Sequence, residues 1–419
     1  MIEAKICGIE VGDNFPVAVI GAINVSPDSF YKGSIKLTRE EIAFQAEKMV
    51  GEGAAAIDLG AVSTAPYRKF EEIPVAVEKE RLVNAIKTVK AVVDVPVSAD
   101  TRLSEVAEAA LNVGADIIND VSGFKWDGRM ADIVAEYGAV AYLAACERKP
   151  GEGGPVGRIL AALKESLEIA QVKGVALEKL VVDPAIGFLR PPDYPWYLWD
   201  CYVLGNLFRL RSLGRPILVA VSRKSFIGKI LGQEHPEQRL YGSLASEAVA
   251  VYNGAHMIRT HDVAATVEAV RMAESMRRKV SLKASGRIEV ETVAGAGFKD
   301  DMAEEIRKLG AAGAEALSQK AVFRAIKVKN LPTPLALLVK QEMLAVGGDA
   351  ALPESALVFG EKAVDVLLLG TLAQYNGFME KIKRAPFEGW RLAEVLRELL
   401  KLEEEHTLLG TQAEGSASP

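Results

Sequence analysis

The sequence predicts a (β/α)8 barrel, or TIM barrel, followed by a smaller α/β domain. Over roughly the first 280 residues, eight short apolar runs alternate with eight longer amphipathic stretches. Such alternation implies parallel strands joined by right-handed crossovers. Eight units in about 270 residues match the barrel, whereas an open doubly wound sheet, the alternative, usually has fewer strands. The length of 419 residues leaves room for a second domain beside a barrel of about 250 residues.

The eight strand candidates are short, rich in β-branched residues and mostly apolar on both alternating faces. This pattern is typical of strands that are covered by helices on one side and by packed core on the other. In chain order the candidates are residues 17–24, 54–60, 95–100, 115–123, 139–144, 180–188, 216–224 and 255–262.

Several amphipathic stretches between the strands begin with helix-capping residues. Thr38 precedes Glu40 and Glu41, and Asp262 precedes the stretch that begins at Val263. The side-chain oxygen of such a residue accepts a hydrogen bond from a free backbone N–H of the first turn. Thr38 and Asp262 are therefore predicted as N-caps. The clearest helix predictions cover residues 38–51, 104–113 and 263–278.

The pattern changes after a charged stretch at residues 277–287, which is predicted to be a linker. Beyond it an α/β mixture extends to about residue 404, and Gly347-Gly348 is predicted to stop a helix. The final residues are small and polar with little to bury, so a disordered tail is expected. The predicted domains are residues 1–280, 287–404 and the tail 405–419. The predicted second-domain strands are 287–293, 323–329 and 364–370, and the helices are 300–310, 332–348, 371–384 and 391–405.

Composition excludes several classes of protein. The chain has 50 Lys and Arg against 56 Asp and Glu, a net charge of −6, which argues against a nucleic-acid binder. Three widely separated cysteines fit a reducing compartment rather than a disulfide scaffold. No apolar stretch reaches the roughly 18 residues of a membrane span, and the acidic N-terminal stretch does not look like a signal peptide. We therefore expect a cytoplasmic protein that does not bind a membrane.

Polar side chains follow nearly every strand candidate at its carboxyl end, where (β/α)8 barrels place their chemistry. Any one of them could simply cap the next helix or turn, and Asp120 and Asp262 are the strongest cases for that alternative. Only the fifth strand lacks a polar end in the same register. The residues at the other strand ends include Asn24, Asp58, Asp100, Asn119, Asp183, Lys224, Arg259 and His261.

These strand-end residues divide chemically, which suggests a ligand with two different ends. The carboxylates and amide of Asp100, Asn119 and Asp183 suit the N–H edge of an amino-pyrimidine ring, because a carboxylate accepts two parallel N–H bonds. Lys224 stands where its charge could reach a ring carbonyl or ring nitrogen.

An anion is indicated for the other end of the ligand. Arg259 and His261 are two residues apart on one strand, so they project to the same face and could hold a phosphate. Asn24 could bind the anion directly or through a hydrated Mg²⁺, which prefers oxygen ligands.

The motifs that carry these residues resemble those of dihydropteroate synthase, a family of pterin-binding (β/α)8 barrels. Seven strings appear in the family order, each at the expected strand end, across residues 17–279. They are NVSPDSF (24–30), AIDLGAVSTAP (56–66), SADT (98–101), IINDVSG (117–123), DPAIGF (183–188), SRKSFIG (222–228) and RTHDV (259–263).

The resemblance implies an enzyme that joins 6-hydroxymethyl-7,8-dihydropterin diphosphate to an arylamine such as p-aminobenzoate and releases diphosphate, with Mg²⁺. Carried over by position, catalysis would fall to Asp100, Lys224, Arg259 and His261. The pterin would be bound by Asp100, Asn119, Asp183, Lys224 and Arg259. The diphosphate would be bound by Asn24, Arg259 and His261, with Asn24 on the metal. The arylamine side would include Thr64, Pro66, Phe188 and Ser225.

Departures from the family pattern cluster on the arylamine side. The second loop has Ala65 where the family has arginine, unless Arg68 replaces it, and Val62 where the family has glutamate. The fifth strand lacks the usual Met-His pair, and residues 189–202 form an unusual aromatic segment. The chain therefore resembles an archaeal-type branch, in which the acceptor could be another arylamine, such as one that bears a ribosyl group.

Two further expectations concern the second domain. Residues 340–352 and 365–375 resemble an accessory domain fused to some bacterial dihydropteroate synthases. The predicted helix surface at residues 391–402 could serve dimerisation, so a homodimer is expected. Gln341 and Asp349 are weak candidates for ligand binding in that domain. Two alternative functions stay open, a pterin-dependent methyltransferase on the same barrel and a non-catalytic pterin-binding protein.

Overall fold

The structure is a computed structural model in which the chain forms two compact units, Met1–Val280 and Ser281–Pro419. The residues that it describes are 2–26, 38–62, 73–148, 154–190, 194–277, 281–283, 289–291, 299–358, 360–386 and 388–405.

The first unit is a (β/α)8 barrel, which confirms the predicted fold class. Its eight parallel strands are β3 (Ala18–Asn24), β4 (Ala56–Gly60), β5 (Val97–Asp100), β6 (Ile117–Asp120), β7 (Val140–Ala144), β8 (Leu180–Asp183), β9 (Leu218–Ala220) and β10 (Met257–Thr260). Each of the eight predicted runs contains one of these strands. The strands are hydrogen-bonded in the order β8-β7-β6-β5-β4-β3-β10-β9, and a parallel bridge between Val182 and Ile217 connects the two ends of that row.

Helices follow the barrel strands in the predicted alternation. A short extra helix, α7, stands between strand β9 and the longer helix α8. The helices are α1 (Arg39–Gly51), α2 (Val75–Lys90), α3 (Ser104–Asn112), α4 (Met130–Tyr137), α5 (Pro155–Val172), α6 (Trp196–Gly205), α7 (Ser225–Leu231), α8 (Leu240–Tyr252) and α9 (Val263–Met276). Short 3-10 helices cover Leu177–Lys179, Leu207–Leu213 and Pro236–Arg239.

Apolar side chains of the barrel pack into two layers, one between strands and helices and one inside the barrel. An N-terminal hairpin that the sequence analysis did not predict, β1 (Glu3–Ile6) and β2 (Ile9–Gly12), adds Ile6 and Val11 to the inner layer. A packed interior leaves the functional groups to the carboxyl ends of the strands, as in other barrels of this type.

The predicted helix caps have different outcomes. Thr38 forms a full capping box with Glu41, which confirms that prediction. Asp262 makes no capping bond, so that prediction is wrong: its carboxylate accepts two bonds from Arg223, from Nε at 2.8 Å and Nη2 at 2.7 Å. A bidentate bond to a charged donor is stronger than a cap on a neutral N–H. Asp120 accepts turn N–H bonds from Ser122 and Phe124, both at 2.8 Å.

The second unit is an α/β arrangement around a three-stranded antiparallel sheet of order β13-β15-β14. The strands of this unit are β11 (Ser281–Lys283), β12 (Glu289–Glu291), β13 (Phe323–Pro332), β14 (Asp349–Ala351) and β15 (Ala363–Thr371). Strands β11 and β12 form a separate hairpin in which Leu282 pairs with Val290. Part of the predicted linker is therefore a β-strand. The helices of this unit are α10 (Lys299–Lys308), α11 (Ala314–Ala321), α12 (Thr333–Ala345), α13 (Glu354–Leu357), α14 (Leu372–Ile382) and α15 (Gly389–Glu405).

Helix α12 ends at the predicted glycine pair, where Gly347 has a φ of +82° and the Gly348 N–H bonds to the Met343 carbonyl. Asp349 pairs with Lys340 at 2.8 Å, and Gln341 is exposed. The predicted tail lies outside the described residues from 406 onward. None of the helices in the described ranges is both long and apolar enough to span a membrane.

Candidate active site

Neighbouring strands of the barrel bring the predicted site residues side by side. In the sheet register, Asn24 is opposite Gly60, Gly60 opposite Asp100, and Asp100 opposite Asn119. A Cβ atom on Gly60 would lie 3.5 Å from Asn24 Oδ1 and 3.7 Å from Asp100 Oδ2. The glycine therefore leaves space at the strand end between the predicted diphosphate residue and the predicted pterin residue.

The centre of the site is a buried charge network that joins strands β4, β5, β6 and β10. Arg259 Nε donates to Asp58 Oδ2 at 2.6 Å, and its Nη2 donates to Asp100 Oδ2 at 3.2 Å. Asn119 Nδ2 lies 3.3 and 3.4 Å from the two oxygens of Asp58. Asp58 is completely buried. Its contacts hold the side chains of Arg259 and Asn119 in position.

Asp100 combines an available oxygen with an unusual protonation equilibrium. Its Oδ1 is buried and has no hydrogen-bond partner among the residues that the structure describes. Burial and the charge of Asp58 raise the pKa of Asp100 to about 7, although Arg259 opposes the rise. A buried acceptor without a partner is costly unless a ligand donates to it. Asp100 is therefore suited to receive an N–H or a developing positive charge.

Asp183 and Lys224 occupy the adjacent part of the rim. Asp183 Oδ1 accepts the Ala185 N–H at 2.7 Å, and burial raises the pKa of Asp183 although the charge of Lys224 opposes the shift. Lys224 Nζ donates to the Ile186 carbonyl and lies 4.9 Å from the centre of the Phe188 ring. Burial lowers the pKa of Lys224 to about 8, against the charges of Asp183 and Asp200.

The turn that carries Ile186 and Phe188 depends on a glycine and on a buried carboxylate. Gly187 has a φ of +84°, and a Cβ there would lie 3.2 Å from Lys224 Cδ. The Gly187 N–H donates to Asp200 Oδ1 at 2.8 Å, and Asp200 itself is buried. Burial raises the pKa of Asp200 to about 7 although the Gly187 bond favours the carboxylate. Asp200 therefore holds the turn against which Lys224 rests.

The predicted diphosphate residues form a second cluster at the strand ends. His261 Nδ1 lies 3.0 Å from Ser222 Oγ, and its Nε2 lies 3.4 Å from Asn24 Nδ2. Burial and the charges of Arg259, Arg223 and Lys224 together lower the pKa of His261 to about 3. The imidazole is therefore neutral at physiological pH, and Arg259 supplies the permanent positive charge of this cluster.

The arylamine side is only partly described. Phe188 and Ser225 lie in described segments, whereas the predicted residues Thr64 and Pro66 lie outside them, as do Ala65 and Arg68. Ser225 Oγ accepts a bond from Arg190 Nη2 at 2.8 Å.

Sequence reasoning assigned no role to three residues at the site, Asp58, Asp200 and Arg190. Asp58 was recognisable as a polar residue at a strand end. Its contacts with Arg259 and Asn119 depend on barrel closure, so no local pattern reveals them. Asp200 and Arg190 belong to the aromatic segment 189–202, whose unusual composition was the only signal.

Comparisons with known proteins show the family of the barrel. Residues 20–261 match the profile of a family described as pterin binding enzymes. The dihydropteroate synthase of Synechocystis sp. is 34% identical over 267 residues, which cover 62% of this chain and 90% of that protein.

Solved structures give the same result. A dihydropteroate synthase from Clostridium difficile, crystallised in the presence of pteroic acid, has a TM-score of 0.57 at 34% identity and covers 63% of this chain and 98% of its own. The Xanthomonas albilineans enzyme with 4-aminobenzoic acid has a TM-score of 0.58 at 33% identity. That match covers 66% of this chain and 98% of the Xanthomonas chain.

The chain belongs to the pterin-binding enzyme family. Within that family it is a transferase of the dihydropteroate synthase type, as the motifs predicted. Residues 281–419 lie outside the matched profile.

Proposed function

We propose that the chain condenses 6-hydroxymethyl-7,8-dihydropterin diphosphate with p-aminobenzoate or a related arylamine and releases diphosphate. The observation that carries this proposal is the Arg259 network. One guanidinium contacts the carboxylate of Asp100 on the pterin side and stands two residues from His261 on the diphosphate side. A ligand with a heterocycle at one end and a diphosphate at the other would meet both clusters at once.

The pterin ring would be bound by carboxylate and amide groups on strands β5, β6 and β8. Asp100 Oδ1 and the carboxylate of Asp183 would accept N–H bonds from the amino-pyrimidine edge, and Asn119 would pair with a neighbouring ring atom. Asp58 would hold Asn119 in the required orientation. Lys224, kept near the pterin by the Ile186 carbonyl, would donate to a ring oxygen or nitrogen.

The diphosphate would be bound by Arg259, by neutral His261 as a hydrogen-bonding group, and by Asn24. The donor set also fits Mg²⁺. An amide oxygen is a suitable hard ligand, and Mg²⁺ usually takes only one or two protein groups in addition to substrate phosphates and water. No cluster of three or more His, Cys, Asp or Glu able to hold a metal exists within the described ranges. The amide oxygen of Asn24 would be the protein's ligand, and Mg²⁺ would neutralise charge on the leaving diphosphate.

The reaction would proceed by loss of diphosphate and attack by the amine. The bond between the pterin methylene carbon and the diphosphate oxygen breaks, and the bonding electrons leave with the diphosphate. The carboxylate of Asp100 stabilises the positive charge that spreads into the ring, and Arg259 stabilises the leaving group. The arylamine nitrogen then bonds to the methylene carbon and releases a proton to solvent.

Two alternatives are less well supported. A pterin-dependent methyltransferase would need the pterin contacts but no site for a diphosphate, whereas Arg259 and His261 lie together with Asn24. A non-catalytic pterin-binding protein would have no need for a leaving-group site. The similarity to dihydropteroate synthases favours the condensation over both.

Diphosphate release with a panel of acceptors tests the proposal. Purified protein, dihydropterin diphosphate and Mg²⁺ should release diphosphate only when an arylamine is added, and removal of Mg²⁺ by EDTA should abolish release reversibly. The panel should contain p-aminobenzoate, its uncharged amide and an arylamine with a ribosyl phosphate. Tight pterin binding without release for any acceptor would refute the enzymatic proposal.

Three further proposals concern the whole chain. Pterin binding belongs to residues 1–280, and residues 287–404 form an accessory domain to which we assign no chemistry. A homodimer is proposed from the helix surface at residues 391–402, and a cytoplasmic location from the composition.

A further inference from the structure

Arg223 has an unusual backbone conformation directly beside two residues of the proposed site. Its φ is +57°, in the left-handed region that favours glycine. Ser222, the residue before it, contacts His261, and Lys224, the residue after it, belongs to the proposed pterin side. A left-handed conformation is unfavourable for a side chain as large as arginine, so it persists only where the surrounding structure imposes it.

Hydrogen bonds from outside the turn hold the backbone of Arg223 in this conformation. Its N–H donates to Ser243 Oγ of helix α8 at 2.8 Å, and its carbonyl accepts a bond from Arg239 Nη1 at 3.1 Å. Arg223, Ser243 and Arg239 are all buried, so water does not compete for these bonds. The elements behind the barrel therefore fix the direction of the turn that carries Ser222 and Lys224.

The side chain of Arg223 joins this turn to the end of strand β10. Nε and Nη2 donate to the two carboxylate oxygens of Asp262 at 2.8 and 2.7 Å. Nη1 donates to the carbonyls of Pro236 and Glu237 at 3.1 and 2.8 Å. A bidentate bond between arginine and a carboxylate fixes orientation as well as distance. Because Asp262 directly follows His261, the pair sets the position of the turn relative to the proposed diphosphate side.

The pterin side and the diphosphate side have supports of their own that do not involve Arg223. On the proposed pterin side, Lys224 Nζ donates to the Ile186 carbonyl. On the proposed diphosphate side, Arg259 Nε donates to Asp58 at 2.6 Å. Replacement of Arg223 therefore leaves each side its own support and removes a strong link that sets the spacing between them.

We propose that Arg223 is a positioning residue that sets the spacing between the pterin side and the diphosphate side through its bond to Asp262. This inference rests on the proposed function, because it takes one substrate to occupy both sides. A ligand with two linked ends gains affinity from the second contact only when the spacing of the two sites matches its length. The reaction also requires the pterin methylene and the leaving diphosphate to be held in one geometry, so a small shift would slow it.

Calorimetric titration with three ligands in the presence of Mg²⁺ tests this spacing. The alcohol 6-hydroxymethyl-7,8-dihydropterin occupies only the pterin side, inorganic diphosphate occupies only the diphosphate side, and dihydropterin diphosphate occupies both. Arg223→Gln should lower the affinity for the two-ended ligand by about tenfold to a hundredfold. The affinity for each one-ended ligand should change by less than about threefold. A general loss of structure would instead weaken all three ligands alike.

Turnover gives a second readout that a loss of stability alone would not produce. In Arg223→Gln, kcat for diphosphate release should fall by about a hundredfold, whereas KM for the arylamine should change by less than about threefold. Arg223→Lys keeps the charge but loses the bidentate geometry, so it should recover only part of the loss. Asp262→Asn keeps the side-chain shape and should reproduce part of the effect, which provides the test if Arg223→Gln does not fold.

A matched arginine–aspartate pair at the amino ends of the strands provides the control. Arg211 Nη2 donates to Asp13 Oδ2 at 2.8 Å, and Nη1 donates to Oδ1. Asp13 also contacts His256, which directly precedes strand β10. Arg211→Gln removes this bidentate pair and should leave kcat and the ratio of the three affinities unchanged. Equal weakening of the three ligands in Arg223→Gln, or the same selective loss in Arg211→Gln, would overturn the inference.

The binding measurements separate this inference from the proposed function. A selective loss of the two-ended ligand in Arg223→Gln, in a protein that releases no diphosphate with any acceptor, would support the inference and refute the proposed condensation. Diphosphate release with an unchanged kcat in Arg223→Gln would support the condensation and overturn the inference.

Discussion

The proposed pterin side and the proposed arylamine side of the site are built differently. On the pterin side, Asp58, Asp100, Asn119 and Arg259 are carried by barrel strands and are bonded to one another in the interior. On the arylamine side, Arg190 and Trp196 lie on the segment that follows strand β8 and meet by stacking. The first group is positioned by sheet register, and the second by a loop and the first turn of a helix.

This difference accounts for the departures from the family pattern that follow a strand, those after the second predicted strand and in residues 189–202. A strand-end residue in a closed barrel has neighbours fixed on both sides, so a change there leaves a buried charge without its partner. A residue on a connecting segment can change without disturbing the sheet. We therefore interpret the arylamine side as the part of the barrel on which acceptor choice can vary while pterin chemistry is retained.

The largest expected effect is on stability, from removal of the buried acid at the centre of the pterin side. Asp58→Ala leaves Arg259 with one carboxylate fewer and Asn119 without its acceptor. We expect the free energy of unfolding in urea to fall by about 3–5 kcal/mol, as for other broken buried ion pairs. Asp132→Ala, which removes a surface pair with Lys173, is the control and should cost less than about 1 kcal/mol. Similar losses in both variants would contradict a central role for Asp58.

The strands and many of the polar residues at their ends were predictable from the sequence. The contacts that were not predictable have physical causes. Short apolar runs with polar ends predict barrel strands, and the structure places the predicted residues Asn24, Asp100 and Arg259 on strands β3, β5 and β10. The Asp58–Arg259 bond joins residues 201 positions apart, and only closure of the barrel brings them together. Asp262 was wrongly predicted as a cap because the competing donor, Arg223, lies 39 residues away.

The next largest effect is expected on catalysis. Arg259→Ala should lower kcat/KM for diphosphate release by about a hundredfold to a thousandfold, the loss typical of removing one preorganised donor to developing charge. Arg223→Ala is not a suitable control, because Arg223 bonds Asp262 beside the site. Arg129→Ala, in the turn before helix α4, should leave kcat/KM unchanged. Retained activity in Arg259→Ala would remove this residue from the leaving-group site.

The pH dependence of stability and that of the reaction rate should distinguish the two buried acids, Asp100 and Asp200. Both acids have a pKa raised to about 7. Between about pH 4 and pH 7 the folded protein keeps a proton on Asp200 that the unfolded chain releases, so the free energy of unfolding falls as pH rises. Asp200→Asn should remove up to about 1.4 kcal/mol per pH unit of that slope. Urea unfolding at several pH values measures it.

For Asp100 the pH dependence should appear in the reaction rate, because protonation of its carboxylate affects the reaction. In the proposed mechanism the ionised carboxylate is the active form, so kcat/KM should fall as pH drops below about 7. Asp100→Asn should be poorly active and should lack this dependence. A wild-type rate that is constant from pH 5 to pH 8 would show that protonation of Asp100 does not limit the reaction.

The smallest effect is expected for His261, at the edge of the pterin side. Because burial and three neighbouring cations lower the pKa of His261 to about 3, its ring should not titrate between pH 5 and pH 8 in the free protein. In an NMR titration the His261 signal, identified by its loss in His261→Gln, should therefore not shift in that range. The variant loses a neutral hydrogen bond rather than a charge, so kcat/KM should fall by only about fivefold. A loss as large as that of Arg259→Ala, or a titration near pH 6.5, would mean that His261 meets the diphosphate as a cation.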